Sequence, residues 1–287
     1  MVAIPNFANI VNTISKAFLH STIIPLYKGD HPISPMETGP DQVVFTVVNK
    51  HTSAIKALLT RGCGLSGWSP HPIMILANNT EYDEIILTGF DGIGGSCDDS
   101  DPKRAIHLDV GKVDVNETIR FLIPSGWHGK MSVGDANYHL TGGSETLLEG
   151  SFLEQVNGNG ETKVKLDFDV SMVDGFSVPL TCSCGDEVLT GCSWDLLSLN
   201  RCPEEDQGDG VCRNPLRPDE SVSSATEFFQ PCEGAAYTFP HDHGANINGN
   251  PQCQSEGVTC CVGTDCDPHM NQCTGVMSGE EICQKFY

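Results

Sequence analysis

Lys163-Val164-Lys165-Leu166-Asp167-Phe168-Asp169-Val170-Ser171-Met172 decides the fold class of this chain. Its even positions are apolar and its odd positions polar or charged, the period of a β-strand with one buried and one wet face. Just upstream, Asn157-Gly158-Asn159-Gly160 is a turn signal, so Ser151–Val156 is expected to fold back as the other arm of a hairpin. Further out, short apolar runs recur at Val43–Val48, Ile55–Leu59, Ile73–Leu76, Glu84–Leu87, Ile106–Val110 and Thr118–Ile123, most of them separated by Gly, Pro, Asn or Asp. That pattern predicts an all-β chain, an antiparallel sandwich or barrel.

Three regions follow from composition. Residues 1–40 contain five prolines, at 5, 25, 32, 35 and 40, and read as an N-terminal extension. Residues 41–181 carry the strand pattern. Residues 182–287 turn to cysteine, glycine and acid, and are expected to be a disulfide-rich loop domain with two short helices. One helix is expected at Trp194–Leu197 with Ser193 as its N-cap, the other at Ser223–Gln230 running into Pro231.

Fourteen cysteines are an even and high count, and only Cys63 and Cys97 precede residue 182. Such density points to disulfides and an oxidising compartment. Zinc is the alternative at Cys182-Ser183-Cys184 and Cys260-Cys261. Paired C-x2-C knuckles are missing, however, and adjacent cysteines rarely ligate one tetrahedral ion together. No metal and no cofactor are expected.

The formal charge is −22, from 38 acidic and 16 basic side chains. An acidic surface has no counterions to release from a phosphate backbone, so nucleic acid is excluded as a partner, and anionic membranes are disfavoured likewise. No stretch approaches the roughly 20 apolar residues of a membrane span. At 39% hydrophobic the chain can still bury a core. Residues 1–15 show no basic segment ahead of an apolar block, so no secretory signal is legible in this numbering. Two sequons, at Asn78 and Asn116, are compatible with glycosylation in a secreted or cell-wall protein. A monomer is expected.

Several blocks, in order, resemble the thaumatin-like family. Asp169-Val-Ser-Met-Val-Asp174-Gly175-Phe176-Ser-Val-Pro179 is similar to D-[IV]-S-x-[VI]-D-G-[FY]-x-[VL]-P. Pro124-Ser-Gly-Trp127-His-Gly-Lys130 resembles P-x-G-W-x-G-[RK], and Thr146-Leu-Leu-Glu149 resembles T-L-x-E. Downstream, Cys192-Ser-Trp-Asp195-Leu, Cys202-Pro203, Phe228-Phe229 to Cys232, and Ala236-Tyr237-Thr-Phe-Pro-His-Asp242 resemble the later motifs. Val43–Asn49 fits the opening strand. The chain departs at Ser132–Asn137, where the family carries an arginine-bearing W-x-R-T-x-C, and in residues 50–116, which read as an insertion.

The resemblance implies a flattened β-sandwich or barrel with a disulfide-rich second domain and an acidic cleft between them. It implies binding of β-1,3-glucan or a related cell-wall polysaccharide, with Asp169, Asp174 and Phe176 as glycan contacts. The alternative is an endo-β-1,3-glucanase using Asp169, Asp174 and either Glu149 or Glu154, since hydrolysis needs two carboxylates flanking the bond. A protein-interaction effector with an idle cleft is the third reading. Strand alternation places Asp169 on the wet face. The resemblance also implies the pairs Cys184–Cys253, Cys192–Cys232, Cys202–Cys212 and Cys261–Cys266, and elimination leaves Cys63–Cys97 to close the insertion. Trp68, Trp127 and His128 are candidate sugar-stacking rings. His241-Asp242-His243 lacks a third ligand for a metal, and Asp98-Asp99-x-Asp101 fails the calcium-loop spacing.

Overall fold

A computed structural model of the chain describes residues 42–61, 74–76, 84–86, 107–125, 127–156, 158–160 and 162–273, all within one unit running from Pro40 to Tyr287. The N-terminal extension, Trp68, Asn78, the Cys63–Cys97 pair and the acidic run at 98–101 lie outside the described residues.

The molecule is all-β. One sheet contains β1 (Gln42–Asn49), β3 (Met74–Leu76), β4 (Glu84–Ile86), β6 (Thr118–Pro124), β11 (Leu180–Cys184), β12 (Glu187–Cys192) and β15 (Val258–Val262), ordered β12-β11-β15-β1-β6-β3-β4. A second contains β2 (Ile55–Arg61), β5 (His107–Val113), β7 (Trp127–Asp135), β8 (Thr146–Val156), β9 (Thr162–Ser171) and β14 (Ile247–Asn248), ordered β14-β9-β8-β7-β2-β5. A two-stranded ribbon joins β10 (Gly175–Phe176) to β13 (Cys212–Arg213). β1 and β15 run parallel; the other paired strands named here are antiparallel.

The period-2 pattern explains the packing. In β1 the apolar Val43, Phe45 and Val47 are buried, and in β9 so are Leu166, Phe168 and Val170. The two sets meet across the core, where Phe45 and Phe168 touch edge to face with ring centroids 5.9 Å apart. Edge-to-face contact suits the opposite charges of ring face and ring rim. The expected hairpin is present: β8 and β9 pair from Val156–Thr162 to Leu147–Ser171. Residues 50–116 contribute β2 to the interior of the second sheet, so the insertion supplies part of the framework.

The cysteine-rich region contributes three strands, β11, β12 and β15, to the first sheet. Successive side chains in a strand point to opposite faces, and this resolves the adjacent cysteines of β15. Cys260 bonds Cys182 on the neighbouring β11, whereas Cys261 bonds Cys266. Cys184–Cys253 ties β11 to the helix Pro251–Glu256, and Cys192–Cys232 and Cys202–Cys212 fasten the loops. Four of these pairs are those the resemblance implies; Cys182–Cys260 is additional. Cys273 is disulfide-bonded too. This density of bridges is compatible with a secreted protein. No described helix is long and apolar enough to cross a membrane.

Both helix expectations change in detail. The first helix spans Leu196–Leu199 and is capped by Asp195, whose side chain accepts from Ser198 N. Ser193 is engaged elsewhere, its backbone N–H donating to Gln272 Oε1 at 3.0 Å. Ser223–Gln230 forms no α-helix. The chain makes a 3-10 turn at Gln230–Cys232 instead, because burying Phe228 and Phe229 side by side and bonding Cys232 to Cys192 both demand a tighter path.

Candidate functional site

The register of three strands assembles the site. Lys130 on β7 lies opposite Glu149 on β8, and Glu149 lies opposite Asp169 on β9. Directly opposed residues in an antiparallel pair have Cβ atoms about 5 Å apart, so the two carboxyl groups are held side by side on one face. This places Glu149, of the two glutamates considered, beside Asp169; Glu154 falls opposite Val164, five residues along the strand.

Asp174 closes the row from beyond the end of β9. It is buried and held by two cations: Lys130 Nζ lies 2.9 Å from Oδ2 and Arg217 Nε lies 2.8 Å from Oδ1. Arg217 also donates to the Gly143 carbonyl at 3.2 Å. The Gly143 loop is shaped by Glu145, which accepts from Thr141 N, Thr141 Oγ1 and Ser144 N. Burial opposes ionisation of Glu145, but these hydrogen bonds outweigh it and hold its pKa below the usual glutamate value. Asn214 pins the same region, donating to the carbonyls of Met172 at 2.9 Å and Thr238 at 2.7 Å.

Asp169 departs from the expected wet position. Its Oδ1 is buried and has no hydrogen-bond partner among the described residues. Two contacts explain the covering. Tyr237 attaches to the edge of β9, its N–H donating to Val170 O at 2.9 Å and its carbonyl accepting from Met172 N at 2.7 Å. Farther along, β14 pairs Asn248 with Asp167. The chain from Tyr237 to Asn248 thus brackets Asp169 along the strand edge.

Removal from water dominates the electrostatics. Burial, then the charges of Glu149 and Asp167, push the Asp169 carboxyl up to about 8. Burial also raises Glu149, partly offset by a hydrogen bond from Ser171 and by the charges of Lys130 and Arg217. Tyr237 is driven up to about 12 by burial and by its carboxylate neighbours, Asp169 first. At neutral pH the row therefore holds a protonated Asp169 beside Glu149, a group that both donates and accepts. Lys130→Met removes a charge that favours ionised Glu149. The Glu149 carboxyl should then titrate at higher pH, which side-chain carbon NMR measures; an unmoved midpoint would mean that Lys130 does not act on the row.

Other expected residues take different places. Phe176 is fully buried and packs edge to face on Phe228, with centroids 6.3 Å apart, so it is a core residue and offers no surface to a glycan. Trp127 is likewise core, opposite Phe152. Asn116 is exposed in a tight turn with φ +64°. His241 and His243 are exposed, while Asp242 between them turns inward and accepts from Thr238 Oγ1 at 2.8 Å and Gly234 N at 3.1 Å. Lys130, Arg217 and Tyr237 are site residues that sequence reasoning did not assign. Lys130 stands inside a quoted motif, but its role depends on strand register. Arg217 lies 43 residues after Asp174 with no motif around it. It supplies a guanidinium to the row where the Ser132–Asn137 segment supplies none.

No protein-family model matches the chain, and no curated protein matches it either.

Proposed function

We propose that this is a secreted, divergent thaumatin-like protein that binds β-1,3-glucan or a related cell-wall polysaccharide at the Lys130–Glu149–Asp169–Asp174 row. The observation that carries the reading is the opposed pair Glu149 and Asp169, two carboxyl groups held side by side on one sheet face. A protonated carboxyl beside a second carboxyl group can donate to one sugar hydroxyl and accept from another, and the desolvated setting strengthens both bonds. The ordered motifs of the sequence support the family, and the disulfide density supports an extracellular setting.

Binding without turnover is favoured by the geometry. Glycoside hydrolysis needs carboxyl groups on either side of the scissile bond, whereas Glu149 and Asp169 stand next to each other on one sheet face. Asp174 is already neutralised by Lys130 and Arg217. The endoglucanase reading draws on one observation, the protonated Asp169 beside Glu149, which resembles the acid member of a catalytic pair.

The test is sedimentation with insoluble β-1,3-glucan, with reducing ends assayed in the same tubes. The parent protein should pellet and release no reducing ends, and Glu149→Gln should bind about tenfold more weakly, because it loses charge assistance to sugar hydroxyls. Release of reducing ends by the parent would turn the reading to hydrolysis. A parent that stays in the supernatant would end the glucan reading.

A further inference from the structure

Between Tyr237 and Ile247 the chain swings away from the edge of β9 and returns, and the turn at its apex displays two imidazoles. Asp242 makes that turn rigid from within. Its carboxylate collects Thr238 Oγ1, Thr238 N and Gly234 N, the backbone bonds at 3.3 Å and 3.1 Å. Its two neighbours are thereby turned outward, and each is oriented by a second contact. His243 Nδ1 is hydrogen-bonded to Tyr237 Oη at 3.0 Å. His241 Nε2 lies 2.8 Å from the Glu220 carbonyl oxygen and 3.2 Å from its carboxylate.

The three rings form a continuous chain of contacts. Tyr237 and His243 centroids are 5.9 Å apart and His243 and His241 centroids 5.5 Å apart. At one end Tyr237 is bonded along β9 between Val170 and Met172, bridging Ser171, so the aromatic row begins beside the strand that carries Asp169. Asn248 extends the polar side, donating to Asp167 Oδ2 at 3.2 Å.

A β-linked glucose unit has two C–H faces and a rim of equatorial hydroxyls. Rings stack on the faces and carboxyl or amide groups bind the rim; this surface offers both, side by side. We infer that Tyr237, His243 and His241 form a stacking subsite for successive sugar units of a β-linked glucan whose neighbouring unit lies on the carboxylate row. The inference rests on the glucan reading above and adds to it the residues that set chain-length preference.

The experiment is calorimetric titration of the full chain with β-1,3-gluco-oligosaccharides of two, four and six units. For the parent, affinity should rise with length. The double variant His241→Ala/His243→Ala should lose that rise and bind the hexasaccharide about tenfold more weakly than the parent. His243→Phe, which keeps a ring and loses the bond to Tyr237, should retain the length dependence, and His243→Gln should lose it. If the double variant titrates like the parent at every length while Glu149→Gln still weakens binding, the subsite is overturned and the glucan reading stands. If the parent binds none of the three sugars, the glucan reading fails and takes the subsite with it.

Discussion

Stability should fall as pH rises from about 4 to about 8, and Asp169→Asn should remove most of that fall. The Asp169 carboxyl titrates near 8 in the folded protein against an ordinary aspartate value of 3.8. Below the ordinary value both the folded and unfolded states hold the proton, and stability is unaffected. Between the two values only the folded state holds it; the folded state therefore binds more protons, and unfolding becomes easier as pH increases. Above about 8 both states are ionised and the full penalty of a buried charge remains. Each pKa unit corresponds to about 1.4 kcal/mol. Because Glu149 shares the burial and the two groups titrate as a pair, about 2–5 kcal/mol is the scale to expect. The amide is close in shape and carries no charge, so Asp169→Asn should be more stable than the parent at pH 9 and similar at pH 4. Urea unfolding at pH 4, 7 and 9 decides it. Parallel curves for the two proteins would show that Asp169 is not the group whose burial matters.

Gly191→Ala should destabilise the fold by about 3–5 kcal/mol, combining a strained backbone with overpacking. Gly191 sits in β12 opposite Thr181 with φ +112°, and its N–H donates to Ala235 O at 2.6 Å. A Cβ there would lie 2.3 Å from Leu180 O and 2.6 Å from Thr181 Cα, both backbone atoms that cannot swing aside. The displaced strand also carries Cys192, so the Cys192–Cys232 bridge is disturbed with it. The loss should appear as a melting temperature lower by about 10 °C. Gly158→Ala, in open space at the hairpin turn, is the matched control. Equal melting temperatures for the two variants would refute the close-approach argument.

The strands of the first half were legible because each buries one face, so alternation at Lys163–Met172 and the runs from Val43 to Ile123 carried their own signal. β11, β12 and β15 were not, because cysteine reads as a loop staple. Cys182, Cys184 and Cys260 are in fact buried strand residues facing partners 69 to 78 positions away. Alternation also overreached at one end of β9. Ser171 is buried and Asp169 half-buried, with its Oδ1 covered, because Tyr237 lies along that edge, a long-range event with no local trace. The motifs selected Asp169, Asp174 and Glu149, which the register brings together, but also Phe176, an aromatic turned into the core. Arg217 could not be read from the chain at all. It reaches Asp174 only after the Asn214 bonds, the β10–β13 ribbon and the Cys202–Cys212 bridge have set its path.

The parallel pairing of β1 with β15 has a consequence for biosynthesis. On the ribosome β1 emerges more than two hundred residues ahead of its neighbour, from Asn49 to Val258. β6 can cover one edge early; the other edge, with Phe45 through Asn49, stays open until β15 arrives. β11 and β12 can form their hairpin in the meantime, but they reach the sheet only through β15. The oxidant cannot join Cys182 to Cys260 or Cys184 to Cys253 correctly before that moment, whereas Cys202–Cys212 can close as soon as its short loop is out. Maturation of this protein is thus gated by β15, the final strand among the described residues. Truncation before Val258 should strand nascent chains with an uncovered hydrophobic edge, the kind of surface on which chaperones act.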